Sequence, residues 1–414
     1  MRILMAQKFH FYRGGDSTYM FNLTKLHRDR GHKVAHFSMS HPENIESEYS
    51  GYFASEIDFP QLLEDFSPRS AAKVITKSIY NREAARNITE LIESFKPDIA
   101  HFHNIHDHLS TSIVKPFYSR GIPIVWTLHD YRLICPNSTF LSKGEICERC
   151  LPGRFYNVLL RRCKKGSLPA SLVAMLSAYF GRLTRVKNRV SHFITPSLFL
   201  KGKLVSAGFD EGRITAVPNF VDLSSFASDP EEEDYFIYSG RLSFEKGIDI
   251  LIEAAAKLQS GRLLIVGGGP EEERLKGLAA RLGADNVEFT GHKSKDELRH
   301  ILSRAQFAVL PSRWYENLPF SIIEAFAVGK AVVASDIGGI PEMVKDGVNG
   351  YLFPPGDSGI LAARLEKLIS SPALRRELGQ RGREKAEKVY NSKSHYEKIT
   401  EIYNKVLKDK GIDI

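Results

Sequence analysis

Short apolar runs rich in β-branched residues alternate with longer amphipathic stretches along the first half of the chain. The runs at residues 3–6, 34–37, 99–102 and 122–127 have the length and composition of strands. Strands separated by helix-length segments are typical of a parallel sheet with helical crossovers. The pattern therefore predicts an α/β domain built on a doubly wound sheet.

The same alternation restarts after Asn219 and continues through most of the second half. Apolar runs of strand length are again followed by amphipathic segments with helical periodicity. A second doubly wound sheet is therefore predicted. Its strands are expected at 235–239, 262–266, 287–290, 307–311 and 331–335, and its helices at 247–259, 271–282, 296–304 and 322–328.

Together the two patterns predict two Rossmann-like domains, since 414 residues exceed what one hydrophobic core usually serves. We place the first domain at 1–215, with a cysteine-rich insertion at about 135–165, and the second at 216–389. The acidic segment 228–234 contains a proline and resembles a linker. The polar helical segment 390–414 is expected to cross back onto the first domain. In this fold class the domains face each other across a cleft at the carboxyl ends of their strands.

Two cationic side chains stand where the first predicted strand of the second domain gives way to a helix. Arg241 and Lys246 are five residues apart in the segment 238–247. A guanidinium and an ammonium at a helix N-terminus suit a diphosphate. A surface arginine and lysine at an ordinary turn explain the same residues equally well.

Gly268 is the middle one of three glycines that end the next predicted strand. Such a run permits either a tight turn or a close approach of the backbone to a ligand. Both explanations stay open at this point.

Two carboxylates eight positions apart, Glu316 and Glu324, form the most specific feature of the second domain. Glu316 precedes a predicted helix, and Glu324 projects from its first turns. The pair can accept hydrogen bonds from a sugar and a ribose, while free amides at the helix start face a phosphate. The alternative is that both are solvated charges favoured near a helix N-terminus.

Taken in order, these motifs resemble those of the retaining glycosyltransferases of family 4, which share the two-domain GT-B fold. The resemblance covers most of the chain. It rests on Arg13-Gly14-Gly15, Thr127-Leu128-His129-Asp130, Ile194-Thr195-Pro196-Ser197, Val217-Pro218-Asn219, Gly240-Arg241 with Lys246-Gly247, Gly267-Gly268-Gly269-Pro270, and Glu316 with Glu324.

This resemblance implies transfer of a hexose-type sugar from a nucleotide sugar, most often a UDP- or GDP-sugar. The acceptor would be a glycan or a lipid-linked molecule in the synthesis of surface polysaccharide or glycolipid. Arg241 and Lys246 would neutralise the donor diphosphate as it leaves. Glu316 would hold hydroxyls of the transferred sugar, and Glu324 would bind the ribose.

By the same resemblance the first domain binds the acceptor and also contributes to the donor site. The amides of Gly14 and Gly15 would approach the donor phosphate or sugar, and His129 would contact the sugar near the reacting carbon. The catalytic candidates are thus His129, Arg241, Lys246 and Glu316, and the donor-binding candidates are Gly14, Gly15, Arg241, Lys246, Gly268, Asn317, Leu318 and Glu324.

Aspartates separated by a single residue, the metal-binding signature of the other major glycosyltransferase fold, are absent from the sequence. No cofactor is therefore expected for catalysis, and Arg241 and Lys246 would replace a divalent metal at the diphosphate. No carboxylate stands out as a covalent nucleophile. The resemblance accordingly implies attack on the face from which the nucleotide departs, with retention of configuration.

All the cysteines of the chain fall within one short segment. Cys135, Cys147, Cys150 and Cys163 are separated by eleven, two and twelve residues. Four thiolates can wrap a tetrahedral zinc ion, so a structural zinc site is predicted. Reduced thiols and disulfides are the two alternatives.

The net charge of +8 is unevenly placed. Between Gly153 and Lys203 the sequence contains eleven Lys and Arg residues and no Asp or Glu, and the stretch 168–180 is nearly all apolar or small. This composition favours a helix lying at an anionic membrane surface. A core helix with basic neighbours is the alternative.

Four histidines occur close together, but a shared metal ion would need two different local geometries. His101 and His103 alternate at the end of a predicted strand, whereas His106 and His108 begin the next segment. Contact of His103 with the donor or the acceptor is the favoured interpretation.

The N-terminus lacks the apolar core of a signal peptide, and no apolar run approaches the roughly 18 residues of a membrane span. A cytoplasmic location is expected, with peripheral attachment to the inner face of the membrane. One alternative function is a nucleotide-sugar epimerase or hydrolase of the same fold. A zinc-containing nucleic-acid-binding protein is less favoured because it leaves Glu316 and Glu324 unexplained, and no nucleic acid partner is expected.

Overall fold

The computed structural model describes residues 1–57, 76–227, 229 and 231–412. Contacts within the chain divide it into two units. Unit 1 comprises Met1–Lys143, Cys147–Val217 and Tyr396–Ile414, and unit 2 comprises Gly144–Ile146 and Pro218–His395. The main change from one unit to the other therefore falls at Pro218, next to the boundary expected at 216. Residues 228 and 230 of the expected linker and the last two residues lie outside the described part.

Unit 1 is built on a six-stranded parallel sheet in the order β2-β1-β3-β4-β7-β8. Its central strands are buried along nearly their whole length, which is why they read as continuous apolar runs in the sequence. Its strands are β1 (Arg2–Ala6), β2 (Lys33–Phe37), β3 (Ile99–Phe102), β4 (Ile124–Thr127), β7 (His192–Thr195) and β8 (Ile214–Ala216), and the short strand β5 (Leu141–Ser142) lies outside the sheet. The short strand β6 (Glu145–Ile146) belongs to the segment that is assigned to unit 2.

Unit 2 repeats the architecture with a second six-stranded parallel sheet, in the order β11-β10-β9-β12-β13-β14. One continuous hydrophobic core packs between this sheet and its helices. The strands are β9 (Tyr235–Ser239), β10 (Arg262–Val266), β11 (Val287–Gly291), β12 (Phe307–Leu310), β13 (Ala331–Ser335) and β14 (Gly350–Phe353).

Helices connect the strands of both sheets, as a parallel arrangement requires. Those of unit 1 are α1 (Gly15–Arg28), α2 (Arg82–Phe95), α3 (Val114–Tyr118), α4 (Tyr156–Leu160), α5 (Leu168–Leu183), α6 (Val186–Arg189) and α7 (Leu198–Ser206). Those that follow are α8 (Ile248–Ala255), α9 (Glu272–Leu282), α10 (Lys295–Arg304), α11 (Phe320–Ala327), α12 (Ile340–Met343), α13 (Ser358–Ile369), α14 (Pro372–Val389) and α15 (Ser392–Lys408).

The last helix, α15, changes unit within its first turn. His395 still belongs to unit 2, where its ring stacks on Phe220 with 4.2 Å between ring centroids. Tyr396 and Tyr403 belong to unit 1, and their hydroxyls lie 2.7 Å from His32 Nε2 and 2.6 Å from His101 Nδ1. These contacts attach the rest of the helix to the sheet of unit 1.

In both sheets the strand order reverses beside the first strand of the unit. In unit 1 the chain passes from β1 to β2 on one side and then to β3 on the other side of β1. In unit 2 it passes from β9 to β10 and β11 on one side and then to β12 on the other side of β9. Ligands of open α/β sheets bind at the carboxyl ends of strands at such a switch point. The loops after β1 and β3, and those after β9 and β12, are therefore where a site is expected.

Candidate functional site

An ion pair joins the two loops at the switch point of unit 2. Lys246, from the loop after β9, places its Nζ 2.7 Å from Oε1 of Glu316, from the loop after β12. The Ser312 hydroxyl donates to the same carboxylate oxygen at 2.6 Å. Lys246 Nζ also lies over the Trp314 ring, 5.5 Å from its centroid. The structure thus brings together one of the cations and one of the carboxylates that the sequence singled out.

Glu316 is ionised although its side chain is only 6% exposed. Burial alone would raise the pKa of this carboxyl, but the Lys246 ammonium and the hydrogen bonds from Lys246 and Ser312 outweigh it and lower the pKa. Lys246 is more open, with 21% of its side chain exposed. An ammonium held by a buried carboxylate on one side therefore remains accessible to an anion on the other.

Arg241, the second cation of this loop, is exposed at the end of β9. Its carbonyl accepts a hydrogen bond from the Tyr238 hydroxyl at 3.0 Å, and Tyr238 is completely buried beneath it. Among the described residues no carboxylate forms an ion pair with the Arg241 guanidinium. The backbone of Arg241 is thus fixed while its charge is left for a ligand.

The three glycines after β10 have separate roles. A Cβ on Gly267 would lie 2.0 Å from the Gly240 carbonyl oxygen, and a Cβ on Gly269 would lie 2.2 Å from that of Leu242. Gly267 and Gly269 therefore allow the loop to pack against the segment that carries Arg241. Gly268 has space for a Cβ, and its carbonyl accepts from the Leu242 amide at 3.0 Å. The glycine run thus allows close packing of backbone against backbone at Gly267 and Gly269, where the neighbours are Gly240 and Leu242.

The loop that carries Glu316 is held from two sides. The Glu316 carbonyl accepts from the Gly339 amide at 2.8 Å, and a Cβ on Gly338 would lie 2.4 Å from that same carbonyl oxygen. On the other side the Asn219 side-chain amide donates to the Leu318 carbonyl at 2.8 Å. Sequence reasoning noted Asn219 only as part of a motif and did not assign it this positioning role.

Glu324 has different neighbours from Glu316. It lies in helix α11, where the cations that act on it electrostatically are Lys295 and Arg299 of helix α10. Burial raises the pKa of Glu324 to about 7, and the two cations only partly oppose this. Both carboxylates were expected to converge on Arg241 and Lys246. Among the described residues, Glu316 forms a direct ion pair with Lys246, whereas the cations that act on Glu324 are Arg299 and Lys295. Lys295 and Arg299 gave no signal in the sequence because they belong to an ordinary amphipathic helix.

In unit 1 the loop after β1 leads into helix α1, with Gly14 at its N-cap and Gly15 as its first residue. The Gly14 amide already donates to the Ser17 hydroxyl at 3.1 Å. Gly15 lies in the first turn, where helix amides have no carbonyl partner within the helix. The approach of the Gly14 and Gly15 amides to a donor stays a prediction.

His129 follows β4 and lies beside His103, which follows β3. Nδ1 of His103 is 3.2 Å from Nε2 of His129, and the Tyr19 ring packs edge-on against His129 with 4.9 Å between centroids. Burial lowers the pKa of His129 to about 4, against a smaller opposite effect of Asp16. His129 is therefore neutral at physiological pH and can exchange hydrogen bonds with a ligand without adding charge. His101 instead bonds Tyr403 and Thr127, so it belongs to the core.

The four cysteines are free thiols, with Cys135 and Cys150 buried. Burial and the neighbouring cysteines raise the pKa of Cys150 to about 12. In the part of the chain that the structure describes, no group of three or more His, Cys, Asp or Glu side chains is arranged to hold a metal ion. The structural zinc site stays a prediction.

A metal assay tests the zinc prediction directly. Protein purified without added zinc is expected to contain about one equivalent per chain if the four thiolates bind it. Elemental analysis of the Cys147→Ser/Cys150→Ser double variant, which should carry far less metal, is the matched control. Less than about a tenth of an equivalent in the unaltered protein would remove the prediction.

Comparison with known proteins agrees with this architecture. A family model described as Glycosyl transferases group 1 matches residues 222–385, and one described as Glycosyltransferase Family 4 matches residues 13–225, just over half of the chain. Two doubly wound parallel sheets with these matches define a GT-B fold of the glycosyltransferase class. The chain belongs to glycosyltransferase family 4.

Three similar proteins illustrate the range of the family. The chain is 30% identical over 181 residues to an alpha-D-kanosaminyltransferase of Streptomyces kanamyceticus, a match that covers 42% of this chain and 47% of that enzyme. The chain thus spans about half the length of this relative. Sucrose-phosphate synthase from Thermosynechococcus elongatus superposes with a TM-score of 0.73 at 20% identity and 99% coverage of both chains. HepE of Anabaena in complex with UDP gives 0.70 at 18% identity, covering 98% of this chain and 100% of that one.

Proposed function

We propose that the protein is a retaining glycosyltransferase that moves a hexose-type sugar from a nucleotide-sugar donor to a glycan or lipid-linked acceptor. The single observation that carries the proposal is the arrangement at the ends of β9 and β12. There an accessible ammonium is held by a buried carboxylate, and the same loop carries an exposed arginine that has no ion-pair partner among the described residues.

Positive charge at this position fits the departure of a nucleotide diphosphate. As the bond to the sugar breaks, negative charge grows on the leaving diphosphate, and cations fixed in advance stabilise that charge most in the transition state. Arg241 and Lys246 supply two such cations on one loop. This role is consistent with the absence of paired aspartates from the sequence, since the two side chains do the work that a divalent metal does elsewhere.

The carboxylates serve the two ends of the donor. Glu316 keeps its charge at every physiological pH, which allows it to accept hydrogen bonds from hydroxyls of the transferred sugar. Glu324 would accept from the ribose hydroxyls. The backbone around Asn317 and Leu318, held in place through Asn219, would face the sugar between them.

Unit 1 would bind the acceptor. The amides of Gly14 and Gly15 would approach the donor phosphate or sugar, and neutral His129 would contact the sugar near the reacting carbon. No described side chain is assigned as a covalent nucleophile. Retention would follow from attack on the face that the nucleotide leaves.

The similar proteins support the choice of donor class. The first relative is named for the transfer of a kanosaminyl group, and the solved structure of HepE contains UDP. A UDP- or GDP-sugar is therefore the donor class to examine first. A lipid-linked acceptor would require the enzyme to work at a membrane surface.

The decisive experiment screens nucleotide sugars for binding and then for transfer, with and without candidate acceptors. We expect one donor to raise the melting temperature and to release nucleotide rapidly only with an acceptor, with the anomeric configuration retained in the product. Rapid release without any acceptor would instead indicate a hydrolase or an epimerase. No stabilisation by any nucleotide sugar would contradict the proposal.

Replacing the exposed guanidinium tests its part in the site. Arg241→Ala is expected to lower kcat/KM for the donor by roughly a hundredfold, because it removes a charge-assisted contact to the leaving diphosphate. Arg281→Ala, an exposed arginine at the end of helix α9, is the matched control and should be unchanged. Steady-state kinetics of both variants provide the measurement, and equal activity would contradict the assignment.

A further inference from the structure

Helix α5 presents four leucines to solvent, whereas Met175 and Tyr179 of the same helix are partly buried against the cluster of Cys150, Phe155 and Val158. Leu168, Leu172, Leu176 and Leu183 are spaced by four, four and seven residues, which places them on one side of a helix. They are 50%, 36%, 37% and 80% exposed. The buried residues of the helix are the small Ser171 and Ala174 on the opposite side. We use the name leucine face for these four leucines together with Leu160 of helix α4, which packs against α5.

Leu160 extends the leucine face beyond the helix itself. It is 73% exposed and ends helix α4, which packs against α5. Scattered single leucines on a surface need no explanation, but an aligned row of this kind marks a surface that is covered by a partner. The remaining question is which partner covers it.

Positive charge that forms no ion pair with a described carboxylate flanks helix α5 along the chain. Arg161, Arg162 and Lys165 precede helix α5, and Arg182 and Arg185 lie at and just beyond its end. Across this part of the chain several cations form no ion pair with a described carboxylate. They are Arg154, Arg161, Arg162, Lys165, Arg182, Arg185, Lys187 and Arg189.

Charge complementarity decides between the two occupants that an apolar face could have. A second copy of the chain would bring like-charged helix ends close to one another, which costs free energy unless anions intervene. An anionic bilayer would bury the leucines among its acyl chains and neutralise both ends of the helix at once. No helix among the described residues is long and apolar enough to cross a membrane. A helix lying in the plane of the interface is the arrangement that fits.

We propose that the leucine face and its flanking cations dock unit 1 on an anionic lipid surface, with α5 parallel to the bilayer. The opposite side of the same helix, through Ser177, Ala178 and Gly181, lines a cavity of about 330 Å³. Arg182 and Arg185 also line this cavity.

Vesicle sedimentation tests the docking surface with the full-length protein. Binding to phosphatidylcholine vesicles with about 30% phosphatidylglycerol should exceed binding to pure phosphatidylcholine at least tenfold, and should fall as sodium chloride rises from about 0.1 to 0.5 M. The Leu168→Ser/Leu183→Ser variant should bind the phosphatidylglycerol-containing vesicles at least about tenfold more weakly than the unaltered protein, since each leucine buries most of its side chain in lipid. Arg162→Gln/Lys165→Gln should also weaken binding and reduce its salt dependence.

Matched controls come from unit 2 and from the last helices. Leu282→Ser/Ile360→Ser changes two residues that are 44% and 41% exposed, and Lys388→Gln/Lys393→Gln removes two exposed charges. Both should bind vesicles as the unaltered protein does.

Unchanged melting temperature and donor binding in the leucine variant separate a docking defect from misfolding and from failure of the proposed catalytic function. Equal binding to neutral vesicles, or retained binding by the leucine variant, would overturn the proposal. Leucine-dependent self-association without vesicle binding would assign the face to a second copy instead.

Discussion

Replacing Lys246 with alanine is expected to lower kcat by roughly a hundredfold to a thousandfold. The ammonium stands 2.7 Å from Glu316 Oε1 and has an open side toward solvent, so it can contact an anion without giving up its partner. Its removal withdraws stabilisation from the charge that grows on the diphosphate as the sugar leaves. Steady-state turnover with the identified donor and acceptor measures the effect, and Lys246→Arg should retain a substantial part of the activity.

The same substitution also leaves the Glu316 carboxylate buried without its cation, which can cost about 3–5 kcal/mol of stability. A fall in melting temperature is therefore expected alongside the fall in kcat. The two effects separate in a Glu316→Gln background, where no buried charge is left to compensate. In that background Lys246→Ala should still lower kcat by at least about tenfold, through its action on the donor. An identical kcat for Glu316→Gln with and without the lysine would make Lys246 only a positioning partner of Glu316.

The strands of unit 2 illustrate how far the sequence predicts the fold. Residues 235–239, 262–266 and 331–335 are strands with the bounds expected from their apolar runs, because each run is buried on both sheet faces and bounded by turn residues. The strands β7 and β8 are not predicted by the alternation. The cysteine-rich insertion and helix α5 lie between β4 and β7 and interrupt the regular spacing. The alternation of apolar runs and helical segments thus predicts strands correctly where successive strands are joined by a single helix.

The candidate site shows a similar division. Arg241, Lys246 and Glu316 could be selected from the sequence because a strand end followed by charged residues is a local feature. The cation that pairs with Glu316 comes from a distant segment, since Lys246 reaches it only because β9 lies beside β12 in the sheet. Sequence distance hides such contacts.

Glycine roles were equally hard to separate in advance. A run of three glycines gives no indication of which positions are required by packing. Steric contact with Gly240 and Leu242 identifies Gly267 and Gly269, and leaves Gly268 unconstrained by its neighbours. The exposed leucines of α5 were likewise invisible in composition, which predicts a membrane helix and a core helix almost equally well. Only the direction of the side chains distinguishes these two possibilities.

Donor affinity should depend on pH through Glu324. Its pKa is raised to about 7 by burial, so the carboxyl gains a proton as the pH falls through neutrality and loses the charge that accepts ribose hydrogen bonds. Donor binding favours the ionised form, and the dissociation constant should therefore rise about tenfold per pH unit below 7. Glu324→Ala should weaken binding by about a hundredfold at pH 8, since two hydrogen bonds to a charged acceptor are lost. Calorimetric titration with an intact nucleotide sugar between pH 5.5 and 8.5 measures both effects.

Other groups of the proposed site should not obscure this dependence. Glu316 has a lowered pKa and stays ionised across the range, and His129, with its pKa lowered to about 4, stays neutral. The diphosphate of an intact nucleotide sugar is esterified at both ends, so it lacks the terminal phosphate that titrates near pH 6. Glu324→Gln, which resembles the protonated carboxyl in shape and charge, should bind weakly and with the same affinity at every pH. A glutamine variant that kept the pH dependence, or an unaltered protein that bound its donor equally at pH 6 and pH 8, would show that Glu324 does not contact the ribose as a carboxylate.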